Sequence, residues 1–123
     1  MKQAGNTAFK ASKYEDAIDL YKKAINADKI SMEDKAKCYG NISHCYLLWQ
    51  SKHKEALEAG KMSIGCSVMG GNYPRAYLRC SEAYVKLNQP GLAALTLKKG
   101  LALANKAPKE VKEEFNKAYN NVE

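Results

Sequence analysis

Arg75 and Arg79 stand four residues apart in the stretch Asn72-Tyr73-Pro74-Arg75-Ala76-Tyr77-Leu78-Arg79-Cys80. On a helix that spacing puts both guanidiniums on one face, one turn apart. Cations held that close repel, so the arrangement makes sense when something anionic sits between them and the rest of the chain. Two earlier stretches hold residues that can complete such a site. Asn6 and Asn41 each offer an amide with two N–H donors and no added charge, and Lys2 supplies a third cation. Together these side chains can satisfy a pair of carboxylates within one small space.

Other chemistry finds less support. His44 and His53 have no acid or serine at helical spacing, so general acid–base catalysis is not expected of either. Cys38, Cys45, Cys66 and Cys80 form no CxxC and no metal-type spacing with histidine. They are expected to be reduced, mostly buried small hydrophobes, as in a cytoplasmic or nuclear protein. No metal and no cofactor is expected. Trp49 and Tyr46 sit at core spacings and read as packing.

The bulk numbers agree with one globular domain. The chain has 123 residues, with 46% hydrophobic and 27% charged, which is enough for one core and not for two. Its net charge of +7 points to an acidic partner. No apolar run approaches membrane-spanning length and no leader pattern is present, so neither a membrane nor secretion is expected. Lys22, Lys23, Lys52, Lys54, Lys98 and Lys99 lack the interleaved aromatics of a single-strand platform, and nucleic acid is not expected either. Met1 opens almost directly into helix, which suggests a monomeric domain cut from a larger protein.

The elements that must position these residues are helices throughout. The first is expected over about Lys2 to Ala11. Ser12 and Glu15 read as a capping box opening the second, whose stripe is Ala17, Ile18, Tyr21, Ala24 and Ile25. Ser31 with Glu33 and Asp34 opens the third, running to about Trp49. The fourth covers about Lys52 to Cys66. Gly70-Gly71-Asn72 breaks the chain, and Pro74 sits in the first turn of the fifth. The sixth starts at Asn88-Gln89-Pro90 and ends near Asn105. Pro108 opens a seventh from Lys109 to about Asn121, with Val111, Phe115, Ala118 and Tyr119 as its apolar face.

These helices pair, and the pairs repeat. Gly5, Ser43 and Ser81 are small residues recurring every 38 positions, and Ala17, Ala56 and Ala93 recur similarly in the second helices. Small residues at fixed places in successive hairpins let helices approach closely and stack as a solenoid. Measured from those small residues at about 100° per residue, Lys2, Asn6, Asn41, Arg75 and Arg79 all fall between roughly 60° and 160°. That sector lines the concave face of such a stack. It also holds Phe9, Lys10, Lys37, His44, Leu47, Leu48, Leu78, Val85 and Lys86, with Glu82 as its one acid.

Gly5-Asn6-x-x-Phe9-Lys10 followed by Tyr14-x-x-Ala17-Ile18-x-x-Tyr21-x-x-Ala24-Ile25 resembles the tetratricopeptide repeat, as do Ser43-x-x-Tyr46, Ser81-x-x-Tyr84 and Ala93-x-x-x-Leu97. The resemblance covers about Lys2 to Asn105. It implies an all-α right-handed solenoid: repeat 1 over about 1–30, repeat 2 over about 31–68, repeat 3 over about 72–105, and a capping helix over about 108–121. Departures are the longer period, Gly60 in place of a large apolar residue, and Pro90 where an aromatic usually sits.

The basic sector further resembles the dicarboxylate clamp of co-chaperone repeat domains. That likeness implies Lys2 and Asn6 from the first repeat, Asn41 from the second, and Arg75 and Arg79 from the third. Arg75 departs from the lysine common at its position. The implied partners are the C-terminal tails, ending Glu-Glu-Val-Asp, of seventy- or ninety-kilodalton heat-shock chaperones. Phe9, Lys10, His44, Leu48, Leu78 and Lys86 are candidates for a secondary groove, where the apolar members could be packing or a pocket for upstream peptide. Two other readings stay open: a groove for another, internal acidic peptide, and a scaffold that assembles through its convex face.

Overall fold

A computed structural model describes the backbone of all residues except Met1, Asp28, Gln50, Ser51, Asn105, Lys106 and Glu123; the side chains of Lys2, Gln3, Gly71, Asn121 and Val122 also lie outside the described residues. Seven α-helices follow one another among them: α1 (Lys2–Lys10), α2 (Tyr14–Ile25), α3 (Met32–Leu48), α4 (His53–Cys66), α5 (Arg75–Lys86), α6 (Pro90–Leu103) and α7 (Lys109–Val122). Each packs on the next in order, and α5 also packs on α3 and α7. The result is the expected solenoid of helical hairpins. No helix among the described residues is long and apolar enough to cross a membrane.

Helix ends explain how the hairpins turn. Ser31 caps α3, its Oγ accepting from the Asp34 N–H at 3.1 Å, as its sequence suggests. Ser12 does something else. Its φ of 60° is left-handed, and the Ser12 and Lys13 amides donate back to the Phe9 and Ala8 carbonyls at 2.9 Å. Ser12 therefore closes α1 in a Schellman turn, and α2 starts at Tyr14 without a side-chain cap. The capping box expected at Ser12 and Glu15 is not formed, because a hydroxyl committed to an αL turn residue cannot also sit at the N-cap. Asn88 repeats the device after α5, with φ 62° and bonds from Asn88 and Gln89 to Val85 and Tyr84.

Between α4 and α5 the backbone kinks at Met69 and Gly70, and the Asn72 N–H donates to the Ser67 carbonyl at 3.1 Å across the kink, which lengthens the second hairpin beyond its expected end. Gly70 and Asn72 then take left-handed φ values of 114° and 51° and aim the chain into α5. The side chain of Ser67 accepts from the Tyr73 N–H at 2.8 Å and fixes that junction.

Small residues let the layers close. A Cβ on Gly60 would stand 3.0 Å from the Cys80 Cα, so glycine is what allows α4 to lie against α5. Ser43 and Ser63 donate across the second hairpin to the Ala56 and Ala36 carbonyls at 2.7 and 2.6 Å. Buried hydroxyls so placed satisfy themselves without needing space. Two apolar clusters result: one around Ile18, Tyr21, Cys38, Ile42 and Cys45, the other around Tyr77, Leu78, Leu97, Val111 and Phe115. No disulfide joins any of the four cysteines, and burial pushes the thiols of Cys45 and Cys80 up to about 12 and about 11.

Candidate functional site

Asn6 of α1 and Asn41 of α3 meet through a third residue. The Tyr21 hydroxyl of α2 donates to Asn6 Oδ1, and the Asn41 side chain lies near enough to favour the ionised phenol against the effect of burial. The Tyr21 ring is buried, and it lies so close to α1 that a Cβ on Gly5 would come within 2.8 Å of its Cε1. Burial raises the Tyr21 pKa well above its ordinary value and keeps the phenol protonated. Lys2 opens α1, one turn before Asn6, and its side chain lies outside the described residues.

Arg75 and Arg79 project from α5, as their spacing predicts. Both already hold a carboxylate. Arg75 Nε and Nη2 donate to the two oxygens of Glu114 on α7, at 3.0 and 3.2 Å. Arg79 Nη1 donates to Glu82 Oε1 at 2.8 Å, while its Nε is buried with no partner among the described residues. The sequence shows one acid in this sector. The structure adds Glu114, carried in by the capping helix.

Tyr73 joins the two halves. Its ring lies over Gly40, where a Cβ would stand 3.1 Å from Cε2. Burial raises the Tyr73 pKa, and the nearby positive charges of Arg79, Arg75 and Lys37 act against that rise. Tyr73 also lies near enough to Tyr21 to oppose ionisation of its phenol. Lys37 is turned partly aside by an ion pair with Glu33 at 2.9 Å.

The flanking groove is mixed. Phe9 of α1 lies 5.2 Å from His44 of α3 and edge-on to Tyr14. Burial, with Arg79 nearby, lowers the His44 pKa to about 4, so the ring is neutral at pH 7. His44, Leu47, Leu48, Val85 and Lys86 line a cavity of about 320 Å³ beside Glu82. Leu48 is half exposed there, and Lys10 and Lys86 are exposed. Leu78 is different. It is only 4% exposed and belongs to the cluster with Leu97 and Phe115, and the surface it keeps lines a cleft of about 360 Å³ with Arg79, Glu82 and Glu114.

Three residues of this site do not stand out from sequence as part of it. Tyr21 is legible as packing only, and Tyr73 is hidden by its position before a helix-opening proline. Glu114 carries a usable signal: Glu110 and Glu114 stand four apart on a helix opposed to basic α5.

No protein-family model matches the chain. It is 33% identical over 111 residues to heat shock protein STI1 of Saccharomyces cerevisiae, covering 89% of this chain and 18% of that protein. The chain thus spans under a fifth of the length of this curated relative. Among solved structures it is similar to the second TPR domain of human RPAP3 in complex with an HSP70 peptide, SGPTIEEVD, at 26% identity and TM-score 0.76, covering 98% of this chain and 90% of that one. It is also similar to the first TPR of Spaghetti (RPAP3) bound to an HSP90 peptide, SRMEEVD, at 25% identity and TM-score 0.75, covering 98% and 91%. With the hairpin stack, the small-residue contacts and these likenesses in agreement, the chain has the fold of a tetratricopeptide-repeat domain.

Proposed function

We propose that this domain grips the acidic C-terminal tail of a seventy- or ninety-kilodalton heat-shock chaperone, with Lys2, Asn6, Asn41, Arg75 and Arg79 as its carboxylate clamp. The observation that carries this reading is the pairing of each arginine with a carboxylate of the protein itself. A place that already attracts Glu114 and Glu82 is chemically suited to the two carboxylates of a terminal aspartate. Asn6 and Asn41 add neutral donors beside it, and the net charge of +7 favours approach of an acidic tail. The similarity to two repeat domains in complex with tails ending Glu-Glu-Val-Asp supports the same partner.

In this reading the domain binds and does not catalyse, and it works in the cytoplasm as one module of a longer co-chaperone. Its repeats, in the same reading, cover about 1–30, 31–68 and 72–105, with the cap over about 108–121. Replacing Arg79 with alanine tests the clamp. Loss of a charge-assisted contact of this type costs about 2–5 kcal/mol, so calorimetric binding of the peptide Met-Glu-Glu-Val-Asp should nearly vanish while helicity stays. Unchanged affinity would contradict the assignment of Arg79.

A further inference from the structure

Asn6 and Asn41 come from different helices, and a carboxamide is useful to an anion only if its N–H side faces it. An amide can rotate by half a turn and present its oxygen instead, which would repel a carboxylate. Something must hold Asn6 in the useful orientation, and the Tyr21 hydroxyl is placed to do so.

We propose that Tyr21 is a positioning residue of the clamp: its hydroxyl, by occupying Asn6 Oδ1, sets which end of that carboxamide is presented to the groove. This rests on the clamp reading of the two asparagines. A phenol has a single proton to give. That proton goes to Asn6 Oδ1. With its oxygen occupied, Asn6 is left with Nδ2 and its two N–H groups for a ligand. The hydroxyl cannot drift, because the ring is 1% exposed and seated against Gly5 at a distance that admits no Cβ. The buried phenol stays protonated throughout the pH range in which the fold is useful. Tyr21 itself touches no ligand in this account. It acts through Asn6.

Tyr21→Phe keeps the buried ring and removes only the hydroxyl. Losing one orienting hydrogen bond should weaken binding of a free-terminus Met-Glu-Glu-Val-Asp peptide by about threefold to tenfold. The variant should also discriminate less between that peptide and its C-terminally amidated form. The effect should disappear when Tyr21→Phe is made in an Asn6→Ala, Asn41→Ala background, which a merely structural role would not produce. Should Tyr21→Phe fail to fold, side-chain amide NMR of the parent decides. Asn6 should then show a dispersed, slowly exchanging N–H pair, unlike exposed Asn116 and Asn120. Unaltered affinity in Tyr21→Phe, an undiminished effect in the double-alanine background, or an averaged Asn6 signal would each overturn the role of Tyr21 while leaving the clamp standing. A parent that binds free and amidated peptide equally would overturn the clamp, and this inference with it.

Discussion

Arg75 of α5 and Glu114 of α7 form a two-point ion pair, with Nε–Oε2 at 3.0 Å and Nη2–Oε1 at 3.2 Å. The pair ties the capping helix to the first helix of the last hairpin. It also gives one of the two groove arginines a carboxylate before any ligand arrives. A tail that uses Arg75 must displace Glu114 or share the guanidinium with it.

Glu114→Gln should therefore bind the tail peptide more tightly, by up to about fivefold, the range expected for releasing a partly exposed ion pair. The matched control is Glu113→Gln, which removes the same charge from the exposed Lys109–Glu113 pair. Titration calorimetry on both separates contact from net charge. Equal gains in the two variants would show that Glu114 acts only through long-range charge.

Helix approach supplies a stability test. A Cβ on Gly100 would lie 2.3 Å from Phe115 Cε1 and 2.7 Å from the Tyr77 Cβ, inside the C-terminal cluster. Gly100→Ala should lower stability by about 1–3 kcal/mol through overpacking. Gly65, within α4, gives the opposite case, because a Cβ added there would meet nothing within 4 Å. Gly65→Ala should raise stability by about 0.5–1 kcal/mol through helix propensity. Urea denaturation of the two variants checks the contrast. A neutral Gly100→Ala would argue against the α5–α6–α7 packing described.

His44 links stability to pH. Its pKa falls from 6.5 to about 4 on folding, chiefly by burial and then by the charge of Arg79. The unfolded chain thus binds more protons in that interval, so stability is full above pH 6.5 and declines as pH drops toward 4. After allowance for partial solvent exposure the loss attributable to His44 is on the order of 1–2 kcal/mol. Urea midpoints for the parent and His44→Gln across this window should converge as pH falls. A constant difference would mean that the histidine does not titrate with folding.

Much of the architecture is legible in the sequence because helical period, breakers and repeated small residues all point the same way. Gly70, Asn72, Pro74 and Pro90 punctuate the chain where helices change. Ser12 misleads because serine before a glutamate is compatible with both a cap and a left-handed turn, and the Phe9 and Ala8 carbonyls decide between them. At the site, the angular sector of Asn6, Asn41, Arg75 and Arg79 follows from helix geometry alone. What their side chains touch does not. Glu114 reaches Arg75 from 39 positions away, and Tyr21 reaches Asn6 from 15, through packing that only the folded chain defines.

Amidating the peptide separates recognition of a free acidic terminus from any other mode of binding. The peptide Met-Glu-Glu-Val-Asp is titrated into the domain with its C-terminal carboxylate free and then amidated, each at low and at raised salt. Amidation removes one charge and leaves every upstream contact in place. The account predicts that the amidated peptide loses most of the affinity and that binding of the free form weakens as salt is added. Equal affinity for the two forms would contradict it.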